Sequence, residues 1–468
     1  MGHTAALRNI VTIAATAVAV RLGLILAFPI VYGGDSLLRL VNHDRILISY
    51  QLPLLQLLIW IVTRFFTSVF AVRLLMVAIG AFSAIAFYRF TLVFVTPRAA
   101  MAGALLFATN PFITAISCVP YQEILLLGCL SYALCFLFQN RDLAASVWLG
   151  LACLTRFEAW VACPIFMATA WRRGRPFWQS ALLFAWAPLL WLAFRKGLSE
   201  PGTFVLDRSF SLDRFYRIPF LAGHTFVNAT IATIVLAAFG LYATFRQGRY
   251  RDPRLRALAA LLGLFALAIL FSAHGEPPDV NRYVTTREIH IPLMLVILLA
   301  AMGCAAYPRL AVPLTAAGIA LGILGAYRFI ARETSRPEIR LGYELARYLD
   351  TRVQPGENIA ILSPPIDYWL YFRRLRETGG EVALQSAQKV LSEIDTSPLD
   401  LQRTRIHSRL PASRFQPAPV SNAQWVAVWS TYVPADDSGA QLTKEVRAHP
   451  DWVLTVSDIS VYIRRFTD

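Results

Sequence analysis

Long apolar runs recur along this chain, at residues 10–32, 71–90, 99–117, 123–139, 143–158, 159–171, 178–195, 219–245, 257–273, 290–306 and 310–331. About twenty apolar residues are needed for a helix to cross bilayer hydrocarbon, where only helices and closed barrels satisfy their own backbone groups. The runs therefore predict a polytopic α-helical membrane protein of about eleven transmembrane helices. Composition agrees, since 56% of the 468 residues are hydrophobic and only 16% are charged. A soluble domain built this way would expose large apolar patches. The first run is longer than a secretory signal core and lacks a small-residue cleavage pattern, so it reads as a retained span.

Charge gives the orientation. The net charge is +15, and much of it sits in short loops, as Arg172, Arg173 and Arg175 and as Arg246, Arg249, Arg251, Arg254 and Arg256. Short arginine-rich loops stay on the cytoplasmic side. Counting spans from either cluster places the N-terminus inside. It places Asp35, Glu123, the 196–218 and 274–289 loops and everything after residue 332 outside. This is the topology of an inner, cytoplasmic membrane protein whose C-terminal part is periplasmic or extracellular. The segment Leu52 to Phe66 fits the parity as a juxtamembrane helix lying in the interface, with Trp60 and Arg64 as its anchors. No basic tail or nucleic-acid motif is present, so nucleic acid is not an expected partner. Cys118, Cys129, Cys135, Cys153, Cys163 and Cys304 lie in or beside apolar runs without metal-ligand spacing and read as packing residues.

Past Arg332 prolines, acids and glutamines replace the long runs, which divides the chain into a transmembrane domain, 1–332, and a soluble extracytoplasmic α/β domain, 333–468. In the latter the patterning predicts helices at Arg340–Val353 and Gln441–His449. Strands are predicted at Asn358–Leu362, Gln424–Trp429, Val453–Val456 and Ser460–Arg464, with a long loop at Ser392–Ala423.

Five polar groups fall on the predicted outer face: Asp35 with Arg39, His43, Asp44 and Arg45; Glu123; Arg156 with Glu158; Arg282, Tyr283, Arg287, Glu288 and His290; and Asp207, Arg208, Asp213 and Arg214. Acids and arginines at one membrane face can deprotonate an acceptor and hold a phosphate leaving group. Each also has a structural explanation. Asp35 after paired glycines can cap a helix, and Glu123 can serve the dipole of a helix N-terminus. Arg156 and Glu158 can be an ion pair at a span end, and Arg282 and Arg287 can sit among lipid headgroups. His43 and His290 read as solvated before catalytic, and the 207–217 charges as a solvated loop. The common side assigned independently to all of them favours the functional reading.

The order of first span, outer acid Asp35, juxtamembrane helix with Pro53, Arg73-Leu74-Leu75, Asn110-Pro111 and then Glu123 resembles the GT-C superfamily of membrane glycosyltransferases. It is similar to its bacterial protein O-mannosyltransferase and lipid A aminoarabinose transferase branches. The resemblance covers approximately the first 175 residues closely and the later spans loosely. It implies that Asp35 is the catalytic base and Glu123 the acid of the second outer loop. Arg282 and Tyr283, with Arg156 and Arg287, would contact the donor phosphate, and Glu158, His43, Asp44 and His290 would support them. It further implies inverting transfer from a polyprenyl-phosphate sugar to an acceptor hydroxyl of protein, lipid or glycan. Two departures stand out: Gln51-Leu52-Pro53 replaces the Lys-Pro-Pro signature of the aminoarabinose branch, arguing against that sugar, and Asp35-Ser36 replaces the Asp-Glu pair of the mannosyltransferases. Some relatives use a divalent metal, but an acid and arginines can neutralise a monophosphate, so no cofactor or metal is expected. There is no Gly-x-Gly-x-x-Gly after a strand and no phosphate-binding loop.

Two other readings remain. A transporter or flippase of a lipid-linked or anionic substrate predicts ionisable residues near the midplane and repeated halves. An O-antigen ligase or polymerase predicts a large late outer loop.

Overall fold

The computed structural model describes residues 3–33, 36, 39–40, 43, 46–47, 52–66, 68–197, 215, 217–271, 289–350, 352, 359–362, 382–384, 425–430, 437–456 and 459–466. The chain divides into two compact units, one of Met1–Ala27 with Tyr50–Ile330 and one of Phe28–Ser49 with Ala331–Asp468.

The first unit is a helical bundle. Among the described residues five helices are long and apolar enough to cross a membrane: Ala6–Ala27, Val69–Thr91, Phe177–Phe194, Pro253–Leu270 and Pro308–Thr334. Other apolar helices are shorter, among them Glu123–Phe138, Asp142–Cys153 and His290–Ala306. Glu123–Phe138 and His290–Ala306 are buried along almost their whole length, as a helix apolar on every side must be. They form the centre of the bundle. Glycine lets the second of them come close to a neighbour. A Cβ on Gly240, in the Ile231–Arg246 helix, would run into the Leu299 carbonyl and Gly303, and one on Gly303 into the Leu236 carbonyl. Small residues facing each other across helices allow this backbone approach.

Several expected continuous spans are broken. The 99–117 run is two helices, Pro97–Thr109 and Pro111–Ile116. Proline at 111 holds Asn110 out of the α region and opens the next helix at its first position. The 219–245 run is also two helices, Arg217–Asn228 and Ile231–Arg246, bent by 116°. Thr230 caps the second, its Oγ1 accepting from the Thr233 amide at 3.2 Å. The 143–158 run ends its helix at Cys153, and Phe157–Ala162 is a 3₁₀ turn before the Cys163–Arg172 helix. The juxtamembrane segment forms the helix Pro53–Phe65, with Arg64 over the Trp60 ring at 4.7 Å and Phe65 and Phe66 exposed. All six cysteines are buried free thiols.

Among the described residues the second unit carries a five-stranded mixed sheet of β1 (Ile359–Leu362), β2 (Val382–Leu384), β3 (Trp425–Trp429), β4 (Trp452–Val456) and β5 (Ile459–Arg465), in the order β2-β1-β3-β5-β4. β1 runs parallel to β2 and β3, while β5 is antiparallel to β3 and β4. The central strand β3 is buried at every residue. Its Val426 and Val428 form a core with Val446 of the Asp437–Ala448 helix. The Pro337–Asp350 helix stacks Tyr348 on Trp452, ring centroids 4.3 Å apart. Strand β2 was not anticipated, because three residues are too few to establish an alternating pattern. The expected Ser392–Ala423 loop lies outside the described residues. Also in this unit, Val31, Tyr32, Ser36, Arg39 and Leu40 are buried.

Candidate active site

Glu123 is the first residue of the central Glu123–Phe138 helix, and His290 the first of the central His290–Ala306 helix. Both are buried, at 1% and 0% exposure. Their position is favourable for a carboxylate, which gains from the positive end of the helix dipole. The link between the helix ends comes from the turn after Cys153. Arg156 there is extended, with φ −149° and ψ 149°, and its guanidinium lies between two acids. Nη1 donates to Glu123 Oε1 at 2.6 Å, Nε donates to Glu158 Oε1 at 2.8 Å, and Nη2 also donates to Glu158 Oε1. The turn is fixed from both sides. Leu54 donates its amide to the Leu154 carbonyl at 3.0 Å, and Trp160 Nε1 donates to the Cys153 carbonyl at 3.0 Å.

Glu158 sits in the 3₁₀ turn between helices and keeps 18% of its side chain exposed. Burial pushes its carboxyl up, but the charge and hydrogen bonding of Arg156, then the charge of His290, outweigh that and hold it at about 2 against an ordinary 4.5. It is therefore an ionised carboxylate at neutral pH. His290, read from the sequence as solvated, is instead fully buried, edge-on to Phe265 at 6.1 Å. Its position at the head of a buried helix hides it, which a histidine next to a polar loop does not signal in sequence. Thus Glu123, Arg156 and Glu158, separated in the chain, meet as one group, with His290 near enough to act on the Glu158 carboxyl.

Asp35, Asp44, Arg282, Tyr283 and Arg287 lie outside the described residues, as do Arg45, Glu288, Asp207, Arg208, Asp213 and Arg214. His43 belongs to the second unit, half-buried, with Nδ1 3.0 Å from the Leu40 carbonyl. Among the described residues no three His, Cys, Asp or Glu side chains gather as a metal site.

Sequence reasoning missed Arg21, which is fully buried inside the first span. Its Nε donates to Ser117 Oγ at 2.6 Å and its Nη1 to the Ala108 carbonyl at 2.8 Å and the Ala17 carbonyl at 3.1 Å. Arg73, also buried, donates Nε to the Cys118 carbonyl at 3.0 Å. Both arginines thus hold the 117–118 turn that leads to Glu123. The available signal was the rarity of a cation within an apolar run, which in a membrane demands buried acceptors.

The bundle and its sheet-bearing second unit have a fold like that of the solved ArnT structures, and the chain is a multi-pass membrane protein. The solved structures it matches include ArnT from Cupriavidus metallidurans, the lipid A aminoarabinose transferase, bound to undecaprenyl phosphate. There the TM-score is 0.62 at 13% identity, over 97% of each chain. The apo state of ArnT matches at the same TM-score of 0.62 and 14% identity, over 98% of each chain. The Archaeoglobus fulgidus oligosaccharyltransferase matches more weakly, at TM-score 0.49 and 13% identity over 90% of this chain and 67% of that one. No family model matches the sequence and no curated protein does.

Proposed function

We propose that this chain is a membrane glycosyltransferase that moves a sugar, with inversion, from a polyprenyl-phosphate donor to an acceptor hydroxyl at the outer membrane face. The observation that carries the reading is the end-to-end likeness to ArnT, a protein solved with undecaprenyl phosphate, over 97% of both chains. The carboxylate and arginine group at the heads of two central helices supports it.

In this reading the Asp35 carboxylate takes the proton of the acceptor hydroxyl as its oxygen attacks the anomeric carbon. The bond from that carbon to the phosphate oxygen breaks, and the polyprenyl phosphate departs with the electron pair. Arg282, Tyr283 and Arg287 receive the phosphate, guanidinium forks matching its oxygens. Arg156 takes a different role from the one expected of it. Its fork is occupied by Glu123 and Glu158, so it positions Glu123 and keeps Glu158 ionised. His290 lies near enough to Glu158 to help hold its carboxyl low. Gln51-Leu52-Pro53 in place of Lys-Pro-Pro favours a sugar other than aminoarabinose. No metal enters this scheme, because the arginines can balance a monophosphate leaving group.

The test is incubation of the purified protein with a panel of polyprenyl-phosphate sugars in nanodiscs, measuring release of polyprenyl phosphate. Release with at least one donor, retained in chelator, is expected. Movement of intact donor across the bilayer without release would mark a transporter instead.

A further inference from the structure

A cavity of about 490 Å³ opens in the first unit at the ends of three helices, far from the acid and arginine group. It is lined by the 92–96 turn after the Val69–Thr91 helix, by Gly240, Ala243, Thr244 and Gln247, by Arg249, and by Met302, Ala305 and Ala306. His290 begins the helix that ends at Ala306. At 1.5 Å per residue the cavity therefore lies roughly 20 Å along that helix from His290.

The lining has two characters. Met302, Ala305 and Ala306 make an apolar wall, whereas Thr96, Thr244, Gln247 and Arg249 are polar. Arg249 is held at the wall by Nη2 donating to the Phe94 carbonyl at 2.9 Å. Its Nε and Nη1 have no acceptor among the described residues. Gly248 makes the turn that presents it, at φ 67°. Around it Arg246, Arg251, Arg254 and Arg256 are exposed, and Asp252 is the only acid in the 246–256 stretch. Arg254 also reaches the cavity wall, its Nη1 donating to the Val93 carbonyl at 3.3 Å. The volume is that of an ordinary small-ligand site. Paired apolar and cationic surfaces at the end of a transmembrane bundle match a phospholipid headgroup with its glycerol, and basic loops there draw anionic lipids of the cytoplasmic leaflet.

We propose that this cavity is an anionic-phospholipid site, with the lipid phosphate on Arg249 and the glycerol and upper acyl chain against Met302 and Ala306. A lipid that binds the folded protein alone raises its melting temperature by mass action.

The test is thermal unfolding of the full-length protein in neutral detergent micelles doped with phosphatidylglycerol, with phosphatidylcholine, or with inorganic phosphate. Phosphatidylglycerol is expected to raise the melting temperature by about 3 °C or more; the other two are expected to leave it unchanged. Arg249→Gln removes the cation and Ala306→Leu fills the apolar wall, and each should cut the shift by at least half relative to its own lipid-free baseline. Arg172→Gln, an exposed cation in the other basic loop, should keep the full shift. Should Arg249→Gln not fold for want of its bond to Phe94, Ala306→Leu decides alone. No shift in the wild type, an undiminished shift in Ala306→Leu, or an equal shift with inorganic phosphate would each overturn the assignment.

Discussion

Arg156 shows how much one side chain can organise. Its guanidinium satisfies two carboxylates that are 33 and 2 residues away in sequence, and lysine, a point charge, cannot bridge them in the same geometry. Arg156→Lys should therefore lower turnover by about tenfold or more while the protein still folds, and donor-release assays read this directly. Glu158 supplies a pH test. Its folded value lies below its unfolded one, so its stabilising contribution is complete above about pH 4.5 and disappears as the pH falls toward about 2. Wild-type and Glu158→Gln melting temperatures should differ at pH 6 and converge as the pH drops through that window. A gap that persists at low pH would mean the contact acts by shape and not by charge. For Asp35, Asp35→Asn keeps size and removes basicity, so transfer should fall by at least about a hundredfold with folding unchanged. At this scale the sequence marked Glu123, Arg156 and Glu158 by their places at span ends. It did not reveal that one arginine joins both acids, because a hydrogen bond across 33 residues leaves no local pattern.

At the scale of elements, Asn110 ties two broken spans together. Its Oδ1 accepts from the amides of Phe112 and Ile113, both at 3.1 Å, and its Nδ2 donates to the Asn228 carbonyl at 3.0 Å. One amide side chain thus caps the Pro111–Ile116 helix and satisfies the end of the Arg217–Asn228 helix where the chain bends. Asn110→Ala removes both roles and should cost about 1–3 kcal/mol, seen as a lower melting temperature. Asn110→Asp keeps the cap and loses the donor, so it should fall between the two. Asn110-Pro111 was legible as a helix break because proline dictates it. The bend near residue 229 was not, since the 219–245 run has no charge and no proline at the break, and the break is stabilised by a residue 118 positions away. The same holds for the short central helices: hydropathy finds them, but only packing shows that they are the core. The strands of the second unit were legible where an apolar or alternating pattern ran over four residues or more, and β2 fell below that length.

On the scale of the whole molecule, the division of the chain places Phe28–Ser49 in one compact unit with Ala331–Asp468. The sequence division at residue 332 assigned that early segment to the membrane part, because an apolar run followed by a short polar stretch carries no trace of a partner 300 residues later. The consequence concerns Asp35, the base of the proposed reaction. Tyr32, Ser36, Arg39 and Leu40, which flank Asp35 in sequence and belong to this unit, are all buried. If the unit's only task were acceptor choice, removing residues 335–468 would spare reaction with water or a small alcohol. If the unit also orders the segment that carries the base, that reaction is lost as well. We expect the second outcome: the truncated protein should lose transfer to every acceptor, water included, while retaining measurable donor binding and a cooperative melt of the remaining helices. Persistent slow hydrolysis of donor by the truncated protein would restrict the second unit to acceptor choice. Its side of the membrane is checked separately by a reporter fused after Asp468. An outer location requires the fusion to be silent for a reporter that works only in the cytoplasm, and a signal from it would reverse the orientation and move the proposed chemistry to the inner face.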